Sequence, residues 1–224
     1  MGWGTKMEDS YKTIEKPGFF EYEEKKSRFL GAAFPVKSEE EAEGVLSSIR
    51  KEHYKARHHC SAMVLGQKRD RRRSSDDGEP SGTAGMPILN VIDGAGCTDV
   101  IIVVTRYFGG TLLGTGGLVR AYTQAAQGAL KDAGIVTMCR CREFSVSLDY
   151  THFDKVTYYL KKNETDPVTG ERVLIRREPV YADKVTIPLV VQSAFSDLIR
   201  EGIMSAADRT AQFEDGAEKF MALH

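Results

Sequence analysis

The stretch Asp99-Val-Ile-Ile-Val-Val-Thr-Arg-Tyr-Phe-Gly-Gly-Thr-Leu-Leu-Gly-Thr-Gly-Gly-Leu-Val-Arg120 decides the fold. After Asp99 its next six residues are β-branched on both alternating faces, as in a strand covered on both sides or buried centrally. From Gly117 to Asp132 the period lengthens to that of a helix. Leu118, Tyr122, Ala125, Ala126, Ala129 and Leu130 then share one face, and Gly134 closes the helix. Glycines crowd the passage between strand and helix, where backbone at positive φ or in close approach is needed. A helix that opens on Gly114-Thr-Gly-Gly117 presents free amide groups at its positive end, which suits an anion.

Outward from this unit the pattern stays layered. Residues 27–36 read as a strand. Ser38 and Glu41 form a capping box for a helix over Glu39–Glu52, with Ala42, Val45, Leu46 and Ile49 at helical spacing. Residues 60–65 read as a second strand, 66–79 as an exposed loop, 86–92 as a short helix and 135–141 as a returning strand. After Arg142 the order restarts as strand 144–149, a helix over 152–162 capped by Thr151, strands 173–181 and 184–191, helix 193–201 and strand 210–214. That is a β-α-β-β-α-β order. The expected fold class is α+β, with a layered α/β domain over residues 1–140 and a second domain over 141–224.

Composition sets bounds on function. No apolar run approaches the ~18 residues of a membrane span. The amino-terminal Met1-Gly2-Trp3-Gly4-Thr5-Lys6 lacks a secretory core and a myristoylation pattern, so a cytoplasmic location is expected. The four cysteines, at 60, 97, 139 and 141, match no metal-binding spacing and read as reduced thiols. Net charge is −1, yet between Lys51 and Arg73 eight Lys/Arg face only Glu52 and Asp70. Such a local surplus attracts phosphates, or simply keeps a mobile loop solvated.

Eight of the 21 glycines fall in two stretches, Ser75–Pro87 and Thr105–Arg120. In the second, Arg106 and Arg120 flank the helix start and suit a phosphate, although the Walker ending is missing. In the first, Asp76, Asp77 and Glu79 admit three readings: a Mg²⁺ site, acid–base chemistry, or turn capping and pairing with arginines such as Arg72 or Arg106. His58-His59-Cys60 invites a nucleophile reading, but Cys60 opens an apolar run and no orienting partner is evident. Tyr107 and Phe108, beside Gly109 and Gly110, suit stacking on a base or capping of the core beneath.

Ser75-Asp-Asp-Gly-Glu-Pro-Ser-Gly-Thr-Ala-Gly85 with Pro87, Thr105-Arg-Tyr-Phe-Gly-Gly110, Gly116-Gly-Leu-Val-Arg-Ala-Tyr122 and Lys26-Ser-Arg-Phe29 together resemble the YigZ/IMPACT family. The resemblance spans residues of about 20–130; the carboxy-terminal part fits by order of elements alone. It implies an amino-terminal domain similar to domain 2 of ribosomal protein S5. It likewise implies a ferredoxin-like carboxy-terminal domain similar to the last domain of elongation factor G. Both relatives work on the ribosome, and eukaryotic members regulate translation. Two segments depart from the pattern: Arg57-His58-His59-Cys60 stands where a Thr-His-Asn-Cys-like segment is expected, and Met86 replaces a frequent basic residue before Pro87.

The expected function is therefore an RNA- or ribosome-associated binding protein in regulation of translation, with a phosphate-bearing ligand as the minimal partner. An enzyme acting on a nucleotide or phosphorylated small molecule and a protein-interaction module are the alternatives. The candidate binding residues are Arg57, His58, Ser75, Asp76, Asp77, Glu79, Ser81, Thr83, Arg106, Tyr107, Gly109, Gly110, Gly116, Gly117 and Arg120. No catalytic residue, metal ligand or cofactor is assigned.

Overall fold

A computed structural model of the chain describes residues 9–223. The amino-terminal stretch read above for targeting signals lies outside the described residues. The chain divides into two compact units, Tyr11–Thr137 and a second unit from Met138 onward that also takes in Asp9 and Ser10. Both mix helices with sheet, so the molecule is α+β. No helix among the described residues is long and apolar enough to cross a membrane.

In the first unit the elements run β1 (Ser10–Ile14), β2 (Gly18–Glu24), β3 (Ser27–Pro35), α1 (Glu39–Glu52), β4 (His58–Leu65), β5 (Arg71–Ser75), α2 (Gly85–Ala95), β6 (Val100–Tyr107) and α3 (Gly114–Ala133). Five strands form an antiparallel sheet in the order β2-β3-β6-β4-β5. Strand alternation sorts its side chains between two cores. Ile101 and Val103 of β6, with Met63 and Leu65 of β4, face α1 and its Ala42, Leu46 and Ile49. Val100, Ile102 and Val104, with Cys60, Ala62 and Val64, face α2 and α3. The doubly apolar strand is thus the centre of a three-layer sandwich, as its composition predicts.

α3 packs closely on the sheet because its inner face is alanine. At Gly31 of β3 a Cβ would stand 2.3 Å from the Ala125 carbonyl oxygen. This accounts for part of the glycine usage by packing rather than by ligand.

Several expectations need correction here. Residues 66–79 are not all loop: β5 is an edge strand, in register with β4 from Leu65↔Arg71 to Ser61↔Ser75. α3 starts at Gly114, one turn before the expected Gly117. The strands expected at 135–141 and 144–149 are one continuous strand, β7 (Ile135–Leu148), within which the chain passes from the first unit to the second.

The second unit continues with α4 (Tyr150–Lys162), β8 (Leu174–Arg176), β9 (Val180–Tyr181), β10 (Val185–Gln192), α5 (Ser196–Ala206) and β11 (Gln212–Met221). α4 opens at Tyr150 after Asp149, so Thr151 is not its cap. The expected strand 173–181 is two short pieces, β8 and β9, each paired with β10. The sheet has the order β1-β7-β10-β8, with β11 also pairing β7; β7–β10, β10–β8 and β11–β7 are antiparallel. Val156 and Leu160 of α4 and Ile199 and Ile203 of α5 cover Phe144, Val146, Ile187 and Leu189.

Candidate functional site

The two glycine-rich stretches meet at the ends of β4 and β6, and the three acids of the first are each engaged by the fold. Asp76 accepts backbone N–H bonds from Gly82 (2.9 Å), Ala84 (3.0 Å) and Gly85 (2.8 Å). It thereby caps α2, whose own N-cap residue Ala84 supplies no side-chain bond. Burial pushes its carboxyl upward, but the three amides outweigh this and hold it below the usual Asp range.

Asp77 bridges α1 and β4. Its carboxylate accepts from Arg50 Nη2 at 2.9 Å and from the His59 amide at 2.6 Å, while its carbonyl faces His58 Nδ1 at 2.9 Å. A carbonyl only accepts, so His58 carries a proton on Nδ1. His59 is buried, its Nε2 3.3 Å from the His53 carbonyl, and burial holds its imidazole below the ordinary value.

Glu79 is 9% exposed and receives Arg106 Nη1 at 2.7 Å and the Tyr122 hydroxyl at 2.8 Å, both on Oε1. Cys60 Sγ lies 3.3 Å from that hydroxyl and 3.0 Å from the Asp76 carbonyl. Burial pushes the Cys60 thiol up to about 12, so it stays protonated and is no nucleophile at neutral pH. Burial also raises Tyr122, with Cys60 and Glu79 adding to the shift.

Above this floor lies a cavity of about 520 Å³, lined by Arg57, His58, Glu79, Pro80, Arg106, Phe108, Leu112, Leu113, Gly114, Thr115 and Leu118. The first turn of α3 opens into it with no side-chain cap and no acidic residue. Arg106 is only 7% exposed, its guanidinium carbon 5.5 Å from the ring centres of both Phe29 and Phe108, and its Nε has no hydrogen-bond partner. Arg57 is exposed at the rim and forms no ion pair among the described residues. Phe108 (55% exposed) and Leu112 (83% exposed) present apolar surface at the mouth. Gly109 fixes this loop: its amide donates to Ser27 Oγ at 3.1 Å, and a Cβ there would stand 2.0 Å from the Lys26 carbonyl carbon.

The structure thus brings Arg57, His58, Glu79 and Arg106 to one cavity together with the α3 start. Ser75, Asp76, Asp77, Ser81, Thr83, Tyr107, Gly109, Gly110, Gly116 and Gly117 do not line it. Tyr107 turns instead to His53, its hydroxyl 3.1 Å from Nδ1. Arg120 is exposed and folds back toward the helix start, its Nη1 3.9 Å from where a Gly116 Cβ would be. Leu112 and Leu113 were missed because an apolar pair in a glycine loop carries no chemical signature, whereas Gly114 and Thr115 belong to the helix start expected to suit an anion.

Much of the basic window is answered by acids distant in sequence. Arg69 and Arg72 both reach Asp93, at 2.7 and 3.2 Å, and Arg73 reaches Glu39 and Glu43 at 3.3 and 3.6 Å. Arg72 does not pair with Asp76, Asp77 or Glu79. A larger groove of about 810 Å³ runs between α2 and α3, but it is mainly apolar and Lys131 is its one charged residue.

Residues 25–130 match the Impact N-terminal domain. The IMPACT family member YvyE of Bacillus subtilis is 33% identical over 210 residues, 94% of this chain and 93% of its own length. The IMPACT family member YigZ of Escherichia coli is 42% identical over 128 residues, 56% of this chain and 63% of its own. An IMPACT family member of Haemophilus influenzae is 49% identical over 114 residues, 50% of this chain and 55% of its own. A crystal structure of a hypothetical protein superposes with a TM-score of 0.58 at 29% identity, covering 94% of this chain and 99% of that one.

Proposed function

The chain belongs to the IMPACT family, and from that premise we propose that it is an RNA-binding, ribosome-associated protein with a role in regulation of translation. The observation that carries this reading is the uncapped start of α3 beside Arg57 and the buried Arg106, in a cavity with half-exposed aromatic surface at its mouth. Helix amides and arginine together suit a phosphate oxygen, and the aromatic edge suits a base. The β-α-β-β-α-β order of the second unit, with antiparallel β11–β7, β7–β10 and β10–β8 pairs, supports a ferredoxin-like reading. We read it as the elongation-factor-like domain that the family resemblance implies, and the first unit as the counterpart of domain 2 of ribosomal protein S5.

The enzymatic alternative loses the carboxylates it leaned on. Asp76 is held by amides, Asp77 by Arg50, and Glu79 by Arg106 and Tyr122. Fluorescence anisotropy with RNA over a salt series, and co-sedimentation with ribosomes, test the proposal. Binding is expected at low salt, weakening as salt rises because phosphate contacts release counterions. No association with RNA or ribosomes at low salt overturns it.

A further inference from the structure

The cavity at the start of α3 differs in kind from a basic surface, because it has a closed floor, one apolar wall and one polar wall. Its volume of about 520 Å³ lies within the ~300–1,000 Å³ common for small-molecule sites. The polar lining is the uncapped Gly114-Thr115 turn together with Arg57. The floor is Arg106, only 7% exposed, held by Glu79 at 2.7 Å and with Nε buried and unpartnered. Held between Glu79 and the rings of Phe29 and Phe108, this guanidinium brings a fixed positive charge to the same space as the open helix start. The apolar wall is Phe108, whose inner face touches Arg106 and whose remaining surface is open.

Resting on the RNA reading above, we infer that this cavity takes a single unstacked nucleotide of single-stranded RNA. The phosphate sits on the α3 amides and Arg57, and the base stacks against Phe108. Duplex RNA cannot satisfy this, because its bases are stacked on one another and paired. His58 adds a polar edge for the sugar or base: its Nδ1 proton is committed to the Asp77 carbonyl, which leaves Nε2 as the second ring nitrogen. Arg106 touches the ring rather than the solvent, so its part is to fix Phe108 and lend positive potential to the floor. It is a positioning residue, and Glu79 positions it in turn.

The test uses the full chain, a short polyuridylate single strand and a blunt RNA duplex of equal length, with uridine monophosphate, uridine and inorganic phosphate as competitors. The single strand should bind more tightly than the duplex, and uridine monophosphate should displace it at far lower concentration than uridine or phosphate alone. Phe108→Ala should weaken the single strand by about tenfold, within the ~1–3 kcal/mol of one base–aromatic stack. It should leave duplex affinity unchanged, and Phe108→Trp should restore single-strand binding. Equal affinity for both RNAs that is weakened by salt, with Phe108→Ala altering neither, overturns the nucleotide pocket while the RNA reading stands. Binding of neither RNA at low salt overturns both.

Discussion

Asp76 accepts three backbone N–H bonds from residues six to nine positions ahead, and so holds the whole Gly78–Gly85 turn against the start of α2. In sequence it was indistinguishable from a metal ligand, because the carboxylate's partners are amides and leave no trace in side-chain identity. Asp76→Ala should lower stability by about 2 kcal/mol, a cap lost and amides left unsatisfied. Because its folded value is depressed, its contribution is complete above the ordinary Asp value of about 3.9 and drains as pH falls through that range. Urea midpoints measured down to acid pH should therefore converge for wild type and variant. His59 adds a second acid dependence of the same sign. Burial keeps it neutral in the fold, so the unfolded chain takes up a proton first and stability falls as pH drops below about 6.5. In His59→Gln that portion of the slope should vanish. Glu79 is legible as an acid near arginines, and Arg106 was among the partners expected for the acids of that stretch. Tyr122 on the same oxygen was not foreseen. Glu79→Leu leaves Arg106 buried and uncompensated, at a cost of about 3 kcal/mol, whereas Tyr122→Phe removes the hydroxyl's bonds with Glu79 and the weak thiol donor Cys60, at about 1–2 kcal/mol. Thermal melts of the two variants should rank in that order.

Elements with a strong hydrophobic period were readable, and those held by pairing alone were not. α1 runs over Glu39–Glu52 with Ser38 accepting from the Glu41 amide, as its capping box predicts. β5 is Arg71-Arg-Arg-Ser-Ser75, exposed throughout, and only its ladder to β4 makes it a strand. β7 was split in the reading because Cys139-Arg-Cys-Arg-Glu143 interrupts its apolar residues, yet pairing to β10 and β11 carries the strand through Arg142. The glycine-rich character of the first unit likewise had two causes that sequence does not separate. Gly109 shapes the mouth of the cavity, whereas Gly31 admits α3 onto the sheet. Gly31→Ala should therefore cost about 2–3 kcal/mol through overpacking against Ala125, neither residue lining the cavity. Urea unfolding should show a lower midpoint with an unchanged slope, and RNA affinity should be unaffected below the transition.

At the scale of the whole molecule, a net charge of −1 rules out binding to RNA by bulk attraction, so any affinity must come from a few placed groups. The sequence shows eight basic residues between Lys51 and Arg73, which would suggest many phosphate contacts. The fold returns Arg69, Arg72 and Arg73 to Asp93, Glu39 and Glu43, acids that no local window reveals. What stays available at the cavity is Arg57 and the dipole of α3, with Arg120 exposed outside its lining but near Gly116. Two or three phosphates neutralised on a single strand give a slope of log affinity against log salt of about −2. A broad polybasic surface engaging six or more would give about −4 or steeper on the same strand. Anisotropy titrations across salt concentrations separate these cases. The Arg57→Ala variant should reduce the slope by about 0.7, one phosphate contact. Neutralising Arg72 and Arg73 together should leave the slope unchanged, because those guanidinium groups already have their anions within the protein.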